Sequence, residues 1–178
     1  NITMILGPKK LLQLVKTKKL VEGLAERELM TPEGAGFDLR LGELYKIVDG
    51  KAFLGEFERE TPKLISKIKY QRSKINKIII KPGEFYIATT IEKINTPLDI
   101  TINFKPRTTT FRSGLFLRTG NVAPGYCGKL TFAIKNEGPI PVTLEMGCRI
   151  VHAQFEWVDG GGTQYKGQWQ GGRVTTGK

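Results

Sequence analysis

Near the start of the chain, apolar residues recur at the spacing of a helix. Pro8 suits the first helical position, because the backbone N–H at that position has no intrahelical partner. Positive charge at Lys16, Lys18 and Lys19 suits the C-terminal end of a helix dipole. One short helix is therefore predicted, with an apolar face made of Leu11, Leu12, Leu14 and Val15.

From residue 37 onward the pattern changes to short apolar or alternating runs separated by Gly, Pro and Asn. Such runs predict β-strands joined by turns. The runs read KIIIKPGEFYIATTIEKI, DITINFK, KLTFAIKN, PVTLEMG and RIVHAQFEWV, and residues 121–136 predict a β-hairpin. The length of 178 residues favours one domain, and many short strands predict a mainly β sandwich, jelly roll or small barrel.

The last twenty residues differ from the rest, because seven of them are glycine. Gly172, Gly177 and Lys178 have the G-x-x-x-x-G-K spacing of a phosphate-binding P-loop. A P-loop also needs a preceding strand, a hydroxyl residue after the lysine and a following helix, and the sequence ends at Lys178, so we expect no P-loop. Tyr165 and Trp169 nevertheless indicate more than a disordered end.

The charge balance narrows the class of partner. Twenty-eight Lys and Arg residues against seventeen Asp and Glu give a net charge of +11, which favours nucleotides, nucleic acid or an anionic membrane surface. The sequence has no recognisable nucleic-acid module, so we do not expect nucleic acid as the partner. No apolar run approaches the roughly 20 residues of a membrane span, so no membrane association is expected.

Two residue types limit the chemistry. Cys127 and Cys148 form neither a C-x-x-C pair nor a disulfide framework, which favours a cytoplasmic location. The single histidine, His152, lies in an apolar strand pattern and is expected to be structural. The H-x-E and P-C-x-x-C signature of zinc deaminases is absent from the sequence. No metal site with direct protein ligands is therefore predicted.

The segment KPRTTTFRSG, residues 105–114, concentrates arginines and hydroxyl groups. A guanidinium group matches two phosphate oxygens, and hydroxyl groups add neutral donors. The segment therefore predicts a phosphate clamp, and the alternative is a solvated polar turn. The clamp residues would be Arg107, Thr108, Thr109, Arg112 and Ser113.

Taken in order, GAGFDLRLG, PGEFYIATTIEKI, PRTTTFRSGL, PGYCGKLT, PVTLEMGCRI and the glycine-rich tail resemble the dCTP deaminase and trimeric dUTPase superfamily. The resemblance implies a dUTPase-like jelly roll over residues 4–158 and a flexible lid over residues 159–178. It further implies a homotrimer with active sites between subunits. The implied substrate is dUTP or dCTP, with Mg²⁺ bound through the triphosphate.

The resemblance also implies roles for individual residues. Arg107, Thr108 and Thr109 fall on the phosphate-binding turn, and Arg112 falls on the second phosphate arginine. The pyrimidine-binding hairpin falls on residues 121–133 and includes Asn121 as a nucleoside contact. Tyr126 would pack under deoxyribose, where its ring would crowd a 2′-hydroxyl. In the lid, Tyr165 would contact the nucleoside and Gln168 the phosphates, whereas His152 replaces a phosphate-facing glutamine.

Two positions depart from the family pattern. Ala133 stands where deaminases have their catalytic glutamate, and Ala123 stands where dUTPases have the aspartate that orients water. Because alanine cannot transfer a proton, another carboxylate would have to serve, with Asp38, Glu92 and Glu137 as candidates. The leading hypothesis is dUTP hydrolysis to dUMP and pyrophosphate. The alternatives are dCTP deamination, which Ala133 opposes, and a catalytically silent nucleotide-binding homologue.

Overall fold

Three helices and twelve strands make up the part of the chain that the computed structural model describes, residues 4–176. The helices are α1 (Pro8–Lys18), α2 (Glu26–Met30) and α3 (Thr108–Arg112). The first six strands are β1 (Val21–Glu22), β2 (Phe37–Asp49), β3 (Phe53–Leu54), β4 (Arg59–Glu60), β5 (Lys63–Lys69) and β6 (Lys77–Ile80). The last six are β7 (Phe85–Asn95), β8 (Ile100–Pro106), β9 (Leu115–Arg118), β10 (Cys127–Asn136), β11 (Val142–Glu145) and β12 (Arg149–Trp157).

Helix α1 confirms the predicted N-terminal helix. Pro8 occupies the start of the helix, and the basic residues of its last turn are Lys16 and Lys18. Leu11 and Leu14 are buried against the strands, whereas the lysines remain exposed. The helix therefore covers one part of the core with its apolar face. No helix within residues 4–176 is long and apolar enough to cross a bilayer.

The strands form one large antiparallel sheet that curls into a nearly closed barrel. Its order is β8-β12-β2-β7-β10-β9, with β1 added beside β7 and β5 added beside β2. Strands β6 and β11 form a separate pair. The core includes Phe37 and Phe155, whose rings meet edge to face at 5.8 Å. The predicted mainly β jelly roll with a short N-terminal helix is confirmed.

A long projecting arm, residues 45–69, was not predicted from the hydrophobic pattern. It consists of the outer half of β2 paired with β5, and the short strands β3 and β4 form its tip. The tip exposes Phe53, Leu54 and Phe57 to 53%, 85% and 86%. These apolar side chains do not divide into a buried face and a solvent-exposed face. The sequence of the arm therefore lacks the alternation from which strands are recognised.

The two segments predicted to carry chemistry follow β8 in sequence. Residues 108–112 form helix α3, which is a single turn. For this segment the sequence analysis gave two alternatives, a phosphate clamp or a solvated polar turn. Residues 121–136, predicted to form a β-hairpin, contain only one of its strands, β10. The partner strand β9 lies before this segment, and a loop of residues 119–126 joins the two. Gly177 and Lys178 of the P-loop-like spacing lie outside the described residues. Cys127 and Cys148 are free thiols.

Candidate nucleotide site

Asp38 is the centre of a charged cluster at one end of the barrel. Arg107 forms a salt bridge to Asp38, with its Nε 2.8 Å from Oδ2, and Arg149 Nη1 donates to the same oxygen at 3.0 Å. The other oxygen, Oδ1, lies 2.9 Å from His152 Nδ1. These residues meet because β12 lies between β2 and β8, with His152 opposite Asp38 in the register. We call Asp38, Arg107, Arg149 and His152 the Asp38 cluster.

The cluster holds Arg107 in a fixed position. Asp38 is only 5% exposed, and a buried carboxylate requires partners for its charge. Two guanidinium groups and an imidazole supply them. Arg149 was not predicted from the sequence as a site residue. It directly precedes the apolar run of β12, where a charged strand-end residue gives no functional signal.

Gly36 explains part of the GAG motif that precedes Asp38. A side chain at this position would collide with the carbonyl oxygen of Ala153 and with the His152 ring. Only glycine therefore lets the chain enter β2 directly against β12. This close approach brings Asp38 into register with His152.

Glu28 lies beneath the cluster, on α2. Its Oε2 accepts the backbone N–H of Asp38 at 3.0 Å, and its buried Oε1 has no hydrogen-bond partner among the described residues. Burial raises the pKa of Glu28 above its ordinary value. The hydrogen bond to Asp38 raises the pKa of His152, against the opposing effect of burial. Both groups therefore hold a proton more tightly in the folded protein than in the unfolded chain.

These shifts predict how stability depends on pH. A raised folded-state pKa contributes stability below the unfolded pKa, and that contribution is lost as pH rises through the folded value. For His152 the loss begins near its ordinary pKa of 6.5 and continues upward. We expect urea unfolding midpoints to fall across this window, and His152→Gln to flatten the fall. If the urea midpoint of His152→Gln fell as steeply with pH as that of the parent, this account would be contradicted. The contribution of Glu28 to the pH dependence should be the same in both proteins.

The other predicted clamp residues lie on α3, at the surface. Thr108, Thr109 and Arg112 are exposed, and Ser113 Oγ donates to the Thr109 carbonyl at 2.8 Å. Thr110 is instead buried and donates to the Ile150 carbonyl at 3.2 Å. The exposed groups are accessible to a ligand, whereas Thr110 fixes α3 to the start of β12.

A separate cavity of about 410 Å³ lies beside the β9–β10 hairpin. It contains all three residues predicted to bind the nucleoside, Asn121, Tyr126 and Tyr165. It does not contain Arg107 or Arg112. We call it the hairpin cavity, and its lining is Ile47, Thr61, Pro62, Leu64, Ile87, Phe104, Gly120, Asn121, Val122, Tyr126, Leu130, Thr131, Tyr165, Trp169, Arg173 and Val174.

Tyr126 is fixed at the cavity wall. Its hydroxyl donates to the Lys129 carbonyl at 2.5 Å, and its ring packs edge to face against Tyr165 with centroids 5.7 Å apart. Burial raises the pKa of Tyr126 to about 12, so the ring stays neutral at physiological pH. A neutral aromatic face in this position can pack against a sugar.

The C-terminal tail, residues 159–176, folds back onto the hairpin. Cys127 N–H donates to Gln170 Oε1 at 2.8 Å, and Gly171 N–H donates to the Cys127 carbonyl at 2.7 Å. The two chains approach so closely that a side chain at Gly128 would collide with Gly172. Gln168, predicted to bind phosphate, lines a surface pocket together with Phe53 and Phe57 at the tip of the arm.

The structure separates the three candidate carboxylates by their contacts. Glu92 is fully buried and accepts hydrogen bonds from Arg40 Nε at 2.7 Å and Arg40 N–H at 2.9 Å. Glu137 pairs with Lys135 at 2.8 Å on the surface. Of these three carboxylates, Asp38 is the one that contacts a residue predicted to bind phosphate, Arg107. Within the described chain, no Asp or Glu lines the hairpin cavity.

The two alanines occupy different surroundings. Ala133 on β10 lies opposite Ile87 of β7 and Arg118 of β9, and all three are on the same face of the sheet. Ala123 lies in the hairpin loop, where its carbonyl accepts from Thr96 Oγ1 at 2.9 Å. No group of three His, Cys, Asp or Glu residues within residues 4–176 is arranged to hold a metal ion.

Comparison with known proteins identifies similar chains over most of this length. A family model described as dCTP deaminase-like matches residues 5–158. The "dCTP deaminase, dUMP-forming" of Dictyoglomus turgidum is 30% identical over 156 residues, covering 85% of this chain and 79% of that protein. The "Probable deoxyuridine 5'-triphosphate nucleotidohydrolase" of Methanothermobacter thermautotrophicus is 33% identical over 145 residues, covering 80% and 89%.

A solved structure supports the fold independently. The 2'-deoxycytidine 5'-triphosphate deaminase from Agrobacterium tumefaciens superposes with a TM-score of 0.68 at 19% identity. The alignment covers 89% of the present chain and 49% of that chain, so the present chain spans about half of its length. At this identity the similarity shows a common fold.

Proposed function

Because the chain belongs to the dCTP deaminase-like family, we propose that it binds a deoxypyrimidine nucleoside triphosphate, with the nucleoside in the hairpin cavity. The observation that carries this proposal is that Asn121, Tyr126 and Tyr165 line one cavity, although Tyr165 is distant from the other two in sequence. An amide side chain both donates and accepts, which suits the edge of a pyrimidine. The Tyr126 ring suits the face of a deoxyribose.

The triphosphate would bind Arg107, Arg112 and the hydroxyl groups of Thr108 and Thr109. Neither arginine lines the hairpin cavity of its own chain. We therefore propose a homotrimer in which the arginines of one subunit face the hairpin cavity of the next. Light scattering at micromolar protein should give the trimer mass, and a monomer mass would contradict a shared site.

Mg²⁺ would accompany the substrate in this scheme. Magnesium keeps several waters and commonly binds through substrate phosphates with few protein ligands. The phosphates would supply its ligands, because both oxygens of Asp38, the carboxylate beside Arg107, are already in contact with Arg107, Arg149 and His152. The ion would neutralise charge on the phosphates, and Arg107 and Arg112 would orient the same group.

Between the two family reactions, the site favours dUTP hydrolysis over dCTP deamination. Deamination requires proton transfer at the base, and the hairpin cavity has no carboxylate among its described lining residues. Hydrolysis between the α- and β-phosphates occurs beside the phosphate clamp, where Asp38 contacts Arg107. Asp38 is already in contact with three side chains, Arg107, Arg149 and His152, so we expect it to orient water poorly and hydrolysis to be slow.

Product analysis tests this proposal directly. The protein is incubated with Mg²⁺ and either dUTP or dCTP, and the products are separated by HPLC. We expect dUMP and pyrophosphate from dUTP, and no deaminated product from dCTP. Conversion of dCTP to dUTP would contradict the preference for hydrolysis. Tight binding of both nucleotides by calorimetry without any product would support the silent homologue instead.

A further inference from the structure

The described part of the tail is hydrogen-bonded both to the hairpin and to the arm. Toward the hairpin, Gln170 Nε2 donates to the Gly125 carbonyl at 2.9 Å. Toward the arm, Thr61 N–H donates to Thr176 Oγ1 at 3.1 Å, and Thr176 N–H donates to Thr61 Oγ1 at 3.1 Å. The two hydroxyl oxygens are themselves 3.2 Å apart. Thr61 and Thr176 therefore form a reciprocal pair of hydrogen bonds across 115 positions of sequence.

The arm is one wall of the hairpin cavity, and the tail crosses from the hairpin to the arm. Thr61, Pro62 and Leu64 line the cavity from the arm, and Asn121 and Val122 line it from the hairpin loop. Between the two walls, the tail supplies Tyr165, Trp169 and Val174. The tail therefore forms part of the cavity wall, and it is held on the arm side by Thr176.

We propose that Thr61 and Thr176 form a latch that holds the tail across the hairpin cavity, which makes Thr61 a positioning residue for whatever the cavity binds. The latch is built to release. It uses neutral hydrogen bonds only, and loss of one such bond shifts an equilibrium by about 2- to 13-fold. Pairs of this strength keep the tail closed for most of the time while still letting it open. The ligand named here, a deoxypyrimidine triphosphate, rests on the proposed function, whereas the latch itself does not.

The first test uses the free protein and needs no nucleotide. Trypsin cleaves after Lys166 and Arg173, both in the tail, and mass spectrometry follows the rate at which the tail is released. Cleavage tracks the open population when opening is fast. We expect Thr61→Val to release the tail about 2- to 13-fold faster, because valine keeps the shape of threonine but loses its hydroxyl. Thr61→Ser keeps the hydroxyl and should cleave at the parent rate.

Matched variants separate the latch from a general loss of stability. Thr143→Val makes the same change at an exposed position on β11 and should leave the tail protected. Thr176→Val should accelerate release of the tail as Thr61→Val does. In the double variant the acceleration should be smaller than the product of the two single effects, because both substitutions remove the same contacts. Parent-rate cleavage in Thr61→Val, or equal acceleration in Thr61→Ser, would overturn the latch.

The second test adds nucleotide. Stopped-flow Trp fluorescence, with Trp169 in the tail, follows association of a non-hydrolysable dUTP analogue. Thr61→Val should associate and dissociate faster than the parent by a similar 2- to 13-fold factor. Accelerated proteolysis with no nucleotide binding by any variant would support the latch and reject the proposed function. Parent-like association in a variant whose tail opens faster would overturn the role of the latch in positioning the ligand.

Discussion

Arg107→Ala is expected to weaken binding of a deoxypyrimidine triphosphate by about 10- to 150-fold. A hydrogen bond to a charged group contributes roughly 1.5–3 kcal/mol, and each 1.4 kcal/mol corresponds to a tenfold change in Kd. In the proposed clamp, the Arg107 guanidinium is held in place by Asp38, with Nε 2.8 Å from Oδ2. Calorimetry with a non-hydrolysable dUTP analogue and Mg²⁺ measures the change.

Two further variants keep this result interpretable. Removing Arg107 leaves the buried Asp38 with Arg149 and His152 alone, so some loss of stability is expected. Arg107→Lys retains the charge but loses the two-pronged geometry, and it should fall between the parent and the alanine variant. Arg72→Ala removes an exposed arginine outside the site and should bind like the parent. Parent-like binding by a folded Arg107→Ala would show that this turn does not hold phosphate.

The parent protein is expected to deaminate no detectable dCTP, and Ala133→Glu should introduce that activity. A positioned acid or base contributes roughly 10²–10⁴-fold to a rate, which is the range expected between parent and variant. A glutamate at 133 would project from β10 between Ile87 and Arg118, on the face that both side chains share. The same substitution in the exposed arm tip, Ala52→Glu, should introduce nothing.

Ala123→Asp tests the other reaction in the same assay. It restores a carboxylate in the hairpin loop, and we expect dUTP hydrolysis to rise or to stay at the parent level. Both substitutions add negative charge near the proposed triphosphate site, so nucleotide binding should weaken somewhat even as chemistry is gained. Steady-state product analysis with dCTP and dUTP supplied separately gives both answers. Robust dCTP deamination by the parent would show that Ala133 does not occupy the catalytic position.

Local patterns in the sequence were sufficient for the first helix and for six of the twelve described strands, β6, β7, β8, β10, β11 and β12. The helix Pro8–Lys18 follows from the spacing of its leucines, and strands such as Cys127–Asn136 follow from alternation between buried and exposed residues. Both signals are local, because the periodicity of a helix or a half-buried strand is set by residues a few positions apart. The arm lacked such a signal, since its tip exposes apolar side chains to solvent.

Motifs located candidate residues but not their contacts. The segment containing Arg107 could be recognised as rich in phosphate-binding groups, yet its partner Asp38 is 69 positions away in the sequence. Arg149 was not predicted as a site residue, because a single arginine at the start of a strand gives no functional signal in the sequence. Its importance to the Asp38 cluster appears only when β12 is placed between β2 and β8.

The sequence by itself determined the mainly β fold, the N-terminal helix and strand β10, since these depend on residue type and local spacing. It also located the segment that is the candidate for binding phosphate. Only the tertiary structure decided that Asp38 fixes Arg107, that the hairpin cavity excludes carboxylates among its described lining, and that the arm holds the tail through Thr61. Each of these depends on pairing between segments far apart in the chain. Such pairing is selected by the burial and hydrogen bonding of the whole barrel, which no local pattern encodes.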